Sequence, residues 1–193
     1  MAFLGKSSWR GAWLARFTAI ALLASVSASS LAMSRSDYEP PTEAKVTAAF
    51  LLNFAGFAEW PAAAFQSATD AIVIGIYGAD PFRDFIDRLL DNETISGRRL
   101  VVRRFPPGAT PVGCHILFIS ESEVRTAPTI IARLRRQPVL TVSTLPGFTQ
   151  QGGMIQLLRE RGRIRFQINQ GAAQSAGLTL SSRLLRLSRD PGS

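Results

Sequence analysis

Few residue types in this chain could do covalent or metal chemistry, and their spacing decides what they can do together. Cys114 is the only cysteine and His115 the only histidine. A thiol beside an imidazole is the raw material of a nucleophile and base pair. The two, however, head an apolar run, His115-Ile116-Leu117-Phe118-Ile119, that reads as a β-strand. Adjacent side chains on a strand point to opposite faces, so Cys114 and His115 cannot form a dyad. His115 reads as a satisfied core or edge histidine, and Cys114 as a small buried hydrophobe. No group of His, Cys and carboxylate has metal-ligand spacing, and no Gly-x-Ser-x-Gly elbow is present. Asp80, Asp84, Asp87 and Asp91 fall on the solvent side of a helical pattern. The turn Gly78-Ala79-Asp80-Pro81 lies between strand and helix patterns. It has neither the dinucleotide glycine fingerprint nor the phosphate-cradling Gly-Lys-Ser/Thr loop. The residues therefore offer no catalytic set, no metal site and no cofactor site.

Recognition chemistry is better represented. In the stretch Gly152 to Asn169, Ile164, Phe166 and Ile168 alternate with Arg163, Arg165, Gln167 and Asn169. That period of two predicts a strand with one apolar and one polar face. The run Met154 to Leu158 is more uniformly apolar, as a strand covered on both faces would be. Arg159-Glu160-Arg161-Gly162 joins the two, with Gly162 supplying the positive φ that hairpin loops need. The polar face of Arg163, Arg165 and Asn169 could hold an anionic or amino-acid ligand, or meet an acidic partner; it also fits a plain solvated face. Trp60 and Phe57 end an apolar helix and read either as core packing or as a partner anchor. These five residues are the candidate partner or ligand surface.

The elements that must position them follow from periodicity. A helix starts at Thr42, with Val46, Ala49, Phe50, Phe54 and Phe57 at helical spacing and Leu51, Leu52 and Ala55 on the other side. A helix apolar all round is expected to be covered all round, by a second layer or by another subunit. Ala71 to Tyr77 is a buried strand. Asp80 and Pro81 suit the start of the helix that carries Phe82, Phe85, Ile86, Leu89 and Leu90. Arg99 to Phe105 is an edge or half-exposed strand. Cys114 to Ser120 and Val139 to Val142 are further strands, with a helix opened by Thr126-Ala127-Pro128 between them. A short helix, a strand at Leu178 to Leu180 and Leu184, Leu185 and Leu187 close the chain on the core. The fold class is α/β: a central mixed β-sheet flanked by helices on both faces, a three-layer sandwich in a single domain over residues 42–190.

The 193 residues carry a net charge of +8. Lys6, Arg10 and Arg16 precede the short apolar run Phe17 to Val26 and the small-x-small site Ser30-Leu31-Ala32. That order predicts a signal peptide over residues 1–32, cleaved near Ala32. Residues 33–41, ending in Pro40-Pro41, read as a flexible leader. Cleavage leaves (22 − 3) − 14 = +5, with Lys45 the only lysine. An exported chain without a basic, aromatic platform is no nucleic-acid binder. A lone Cys114 also allows no internal disulfide.

Several segments taken together resemble the YfiR family of exported α/β proteins. They are Lys45-Val46-Thr47-Ala48-Ala49-Phe50-Leu51-Leu52-Asn53-Phe54 running to Glu59-Trp60-Pro61, Val73-Ile74-Gly75-Ile76-Tyr77-Gly78 with Asp80-Pro81-Phe82, and Gly97-Arg98-Arg99. Cys114 to Ile119, Leu140 to Ser143, Gly152 to Ile155, Ile164 to Asn169, and Ala176-Gly177-Leu178 through Leu184-Leu185 complete the set. The resemblance implies a periplasmic domain, often a homodimer. It implies a regulator that holds a membrane-bound diguanylate cyclase inactive through the cyclase's periplasmic domain. An outer-membrane lipoprotein that binds peptidoglycan sequesters such a regulator and releases the cyclase. Other relatives resemble sensor modules that feed a histidine kinase, which leaves a small-ligand receptor as the alternative. Some relatives use disulfides, one of them redox-responsive; here only Cys114 matches.

Overall fold

The computed structural model describes residues 42–189. The signal peptide, its cleavage point and the leader through Pro41 lie outside the described residues. The first helix, α1, spans Thr42–Phe57, and α2 spans Asp84–Leu90. The helix α3 spans Ala127–Leu134, α4 Gln170–Ser175 and α5 Ser182–Leu187. The strands are β1 Ala58–Glu59, β2 Ile72–Tyr77, β3 Thr94–Ile95, β4 Arg98–Phe105, β5 Ile116–Ile119, β6 Leu140–Ser143, β7 Ile155–Glu160, β8 Arg163–Ile168 and β9 Thr179–Leu180.

Seven strands form one sheet in the order β3-β4-β2-β5-β6-β7-β8. Neighbours from β4 to β7 are parallel, while β3 and β8 are antiparallel to their neighbours. Every residue of β2, β5 and β6 is buried, the signature of parallel strands covered on both faces. One core layer joins the sheet to Leu51 and Phe54 of α1, Ile86 and Leu90 of α2, and Leu184 of α5. The other joins it to Ile130, Ile131 and Leu134 of α3. The chain is thus a three-layer α/β sandwich with a mixed sheet, in one domain. Gly75 is needed in mid-strand because a Cβ there would lie 2.8 Å from Leu117 and 2.9 Å from Phe105.

Four expectations change or become definite. The segment Leu178 to Leu180 does hold a strand, as expected, and its place is now defined. Its strand β9 pairs with β1, Ala58 opposite Leu180, as a separate ribbon. Second, α2 opens at Asp84 rather than Pro81, because Arg83 has φ +48 and cannot continue a right-handed helix. Asp80 instead accepts the amides of Phe82 and Arg83 at 2.7 and 3.0 Å and closes the turn. Third, of the two kinds of cover expected for α1, a second layer or another subunit, the described residues supply the first on one side only. Ala48, Leu51, Phe54 and Ala55 are buried, but Asn53 and Gly56 are exposed, Val46 is 37% exposed, and Phe50, Leu52 and Phe57 are half-buried. The helix lies in an outer layer, packed on the sheet and flanked by α2 and α5. Fourth, the hairpin loop shrinks to Arg161-Gly162. Glu160 pairs with Arg163, and positive φ at both loop residues, +48 and +76, gives a type I′ turn.

Candidate functional site

The parallel strands reverse their direction of winding between β2 and β5. In doubly wound sheets the crevice beyond the carboxyl ends of such strands is the usual ligand site. Here it is filled from within. Gly78 (φ +90) sits so close that a Cβ would lie 2.5 Å from Ser122 Oγ and 2.6 Å from Glu123 Cγ. The Ala79 amide donates to Ser122 Oγ at 3.0 Å. Thr126 Oγ1 donates to the buried Glu123 carboxylate at 2.6 Å. Beside it, Arg104 bridges Asp80 and Asp87. Its guanidinium is held charged first by the Asp87 hydrogen bond.

Trp60 and His115 meet at the opposite end of the sheet. The half-buried Trp60 indole donates to the His115 carbonyl at 3.1 Å. The Val73 amide donates to His115 Nδ1 at 3.0 Å. That fixes the neutral tautomer whose Nε2–H donates to the Ala64 carbonyl at 3.2 Å. The Phe65 ring stacks on the imidazole at 4.5 Å, and the Arg98 guanidinium lies 3.7 Å above Phe65. Arg98 also donates to the Ser67 and Asp70 carbonyls, both at 2.9 Å. The Asp70 carboxylate, bonded first by the Ser67 hydroxyl and then by the Ser67 and Gln66 amides, is held below the usual carboxylate range. Burial pushes the His115 pKa below its ordinary 6.5, against the hydrogen bond to Ala64 that raises it. Cys114 faces the other core layer, among Leu117 and Phe105. Burial pushes its thiol up to about 12, so it holds no thiolate at neutral pH.

Asn169 stands apart from the arginines with which it shares strand parity. It falls just past the end of β8 and caps α4: its Oδ1 accepts the Ala172 amide at 2.9 Å, and its Nδ2 donates to the Thr149 carbonyl at 3.0 Å. It borders a cleft of about 260 Å³ with Arg135, Thr141, Met154 and Ser175. The polar face read from alternation therefore ends at Gln167, where the strand gives way to a helix cap. Phe57 is half-buried, with the Arg183 guanidinium 5.8 Å from its ring centroid.

Arg163 and Arg165 do share a face. Register sets Arg163 opposite Glu160 and Arg165 opposite Leu158. With Arg161 and Arg189 they line a concavity of about 530 Å³. Glu160 is engaged by Arg189 in an ion pair. Arg189, far away in sequence, is brought here by a parallel bridge to Gln167, and no local spacing could have announced it. On the reverse face Ile164, Phe166 and Ile168 turn toward α1, where Phe166 meets Phe50 and Phe54 edge-on at 5.7 and 5.4 Å.

Among the described residues no group of three or more His, Cys, Asp or Glu is placed to hold a metal. No described helix is long and apolar enough to cross a membrane. The molecule is by class a doubly wound α/β protein in which Ser122 and Glu123 pack against the turn at the switch point and the arginine-lined concavity lies on the surface. The YfiR/HmsC-like family model matches residues 44–189, nearly all of the described chain. The protein belongs to that family. A search of curated proteins finds no match.

Proposed function

We propose that this protein is a periplasmic regulator that binds the periplasmic part of a membrane-bound signalling protein, in the first instance a diguanylate cyclase, and holds it inactive. Membership of the YfiR/HmsC-like family over residues 44–189 is the observation that carries the reading. The geometry supports it. The crevice where a doubly wound protein would bind a nucleotide is filled by Ser122 and Glu123. The one thiol is buried and the one imidazole is neutral and spent on backbone groups. What remains for recognition is surface: the arginine face of the hairpin and the uncovered flank of α1.

Such a regulator works by population. It binds the inactive state of its partner better than the active one, and shifts that equilibrium only by the difference in affinity. Residues 1–32 direct export and are removed near Ala32. The exported chain is a homodimer, and an outer-membrane lipoprotein competes for it. Deleting the gene should raise cellular cyclic-di-GMP, and restoring it should bring the level down. An unchanged level in a host that encodes a membrane cyclase beside this gene would count against the assignment.

A further inference from the structure

We infer that the outer edge of β8 receives an extended acidic segment of a partner protein, added as a further strand, with alternate carboxylates on Arg163 and Arg165 and the intervening apolar side chains against Val46 and Phe50 of α1. Three separate features of the molecule meet at this edge. The inference rests on the regulatory reading for its biological setting and names what the partner would present.

The first feature is an edge that is open at its hairpin end, Arg189 pairing beside Gln167 at the other. β8 is the last strand of the sheet. The Arg189 amide donates to the Phe166 carbonyl at 2.9 Å, so the backbone groups of alternate residues, Ile164 and Phe166, turn outward from β7. That bridge lies opposite Gln167 and leaves Ile164 with no strand beside it among the described residues. Outward amides and carbonyls on an edge strand are a template for an added strand.

The second feature is charge. Arg163 and Arg165 are exposed, and their side chains make no hydrogen bond or ion pair with another described residue. Together with Arg161 they outnumber the single acid of the concavity, Glu160, which already pairs with Arg189. A guanidinium is a planar fork that matches a carboxylate with two parallel hydrogen bonds. Arginines on alternate strand positions lie on one face, so they match carboxylates on alternate positions of a neighbouring strand.

The third feature is an apolar flank on the reverse face. Lys45 lies over Phe85 of α2, which fixes the side of α1 turned toward α2. Phe50, half-buried, turns the other way and reaches Phe166 of β8. Val46, one turn earlier and 37% exposed, continues that flank. An added strand carries its second set of side chains to this face, where apolar residues would cover Phe50 and Val46. The segment recognised is therefore extended, with acidic and apolar residues alternating. A second copy of this chain does not fit. Pairing β8 with itself would set arginines against arginines, and like charges directly opposite are destabilising.

The test uses the protein purified as its host produces it and three labelled synthetic peptides of about eight residues. One alternates Glu and Val, one has the same composition in two blocks, and one alternates Lys and Val. Fluorescence anisotropy near physiological salt reads affinity. The alternating acidic peptide should bind more than about tenfold tighter than the blocked one, and the Lys peptide not at all. The double variant Arg163→Glu with Arg165→Glu should exchange this preference and take the Lys peptide, a gain that misfolding cannot produce. Equal binding of the two acidic peptides would reduce the surface to general charge attraction. No binding of any peptide would leave the arginines as guards against edge association. Either result overturns the inference, as does unchanged preference in the double variant. The assay contains no cyclase, so peptide binding with no cyclic-di-GMP effect would sink the regulatory assignment and leave this surface standing.

Discussion

His115 is the residue whose chemistry is most completely used by the fold. Its Nδ1 accepts from the Val73 amide and its Nε2–H reaches the Ala64 carbonyl, so the neutral ring joins the start of β2 to the segment after Trp60. Protonating Nδ1 would set an N–H against the Val73 N–H. Burial already lowers the folded pKa below 6.5, and the nearby Arg98 and Arg103 charges push the same way, while the Ala64 hydrogen bond and Asp70 oppose them. The unfolded chain therefore binds this proton at a pH where the folded chain does not. Stability linked to His115 is intact above about pH 6.5 and is lost as pH falls below it. The melting temperature should drop from about pH 6.5 toward 5. In His115→Asn, whose Oδ1 can still accept from Val73 but cannot titrate, that slope should shrink although the variant is less stable at neutral pH. An equal slope in both proteins would show that other groups set the dependence. The separation of Cys114 from His115 was legible from strand parity, although the observed strand begins only at Ile116: the thiol joins one core layer while the imidazole stacks on Phe65. The imidazole's partners were not: they come from residues 42 and 51 positions away.

At the level of elements, alternation located the hairpin and its apolar face because period-two patterning survives any tertiary context. It misjudged the hairpin's ends. Asn169 keeps the parity of Arg163 and Arg165, yet the strand stops at Ile168 and Asn169 turns the chain into α4. Its side chain satisfies the Ala172 amide at the helix N-terminus and the Thr149 carbonyl of the loop before β7. Losing a helix cap of this kind costs about 0.5–2 kcal/mol. Asn169→Ala should lower the unfolding free energy, read as the product of urea midpoint and slope, by an amount in that range, while Asn169→Ser, which can still cap, should recover part of it. Neither change should alter peptide binding at Arg163 and Arg165, because Asn169 is absent from the concavity they line. Loss of peptide affinity in Asn169→Ala at full stability would return Asn169 to the recognition surface. The α1 helix shows a different limit of pattern reading. All-round apolarity predicts cover by a second layer or by another subunit, but composition does not tell which of the two covers a given flank, and among the described residues Val46 is 37% exposed.

For the whole molecule, the two core layers share one sheet, and fully apolar strands with helices between them were enough to place the chain among three-layer α/β folds. Of the β1–β9 ribbon only the strand at Leu178 to Leu180 was legible; β1 and the pairing were out of reach, since a two-residue strand carries no periodicity. That ribbon matters for cooperativity. It ties the end of α1 to the C-terminal segment, and the Ser181 amide adds a bond to the Phe57 carbonyl at 2.9 Å. Trp60 follows directly and bonds to the His115 carbonyl, just before β5. A single indole thus stands where α1, the ribbon and the sheet meet. Trp9 and Trp13 precede Ala32, so in a chain beginning at Met33 Trp60 is the only tryptophan. If these connections bind the layers into one unit, urea should shift Trp60 emission and far-UV ellipticity with one midpoint and one slope, as two-state unfolding requires. The Trp60→Phe variant keeps the packing but loses the 3.1 Å bond to His115. By ellipticity it should unfold earlier, by about 0.5–1.5 kcal/mol, and still in one step. Emission changing well before ellipticity in the parent protein would show that the segment around Trp60 opens alone, and that the sheet holds without it.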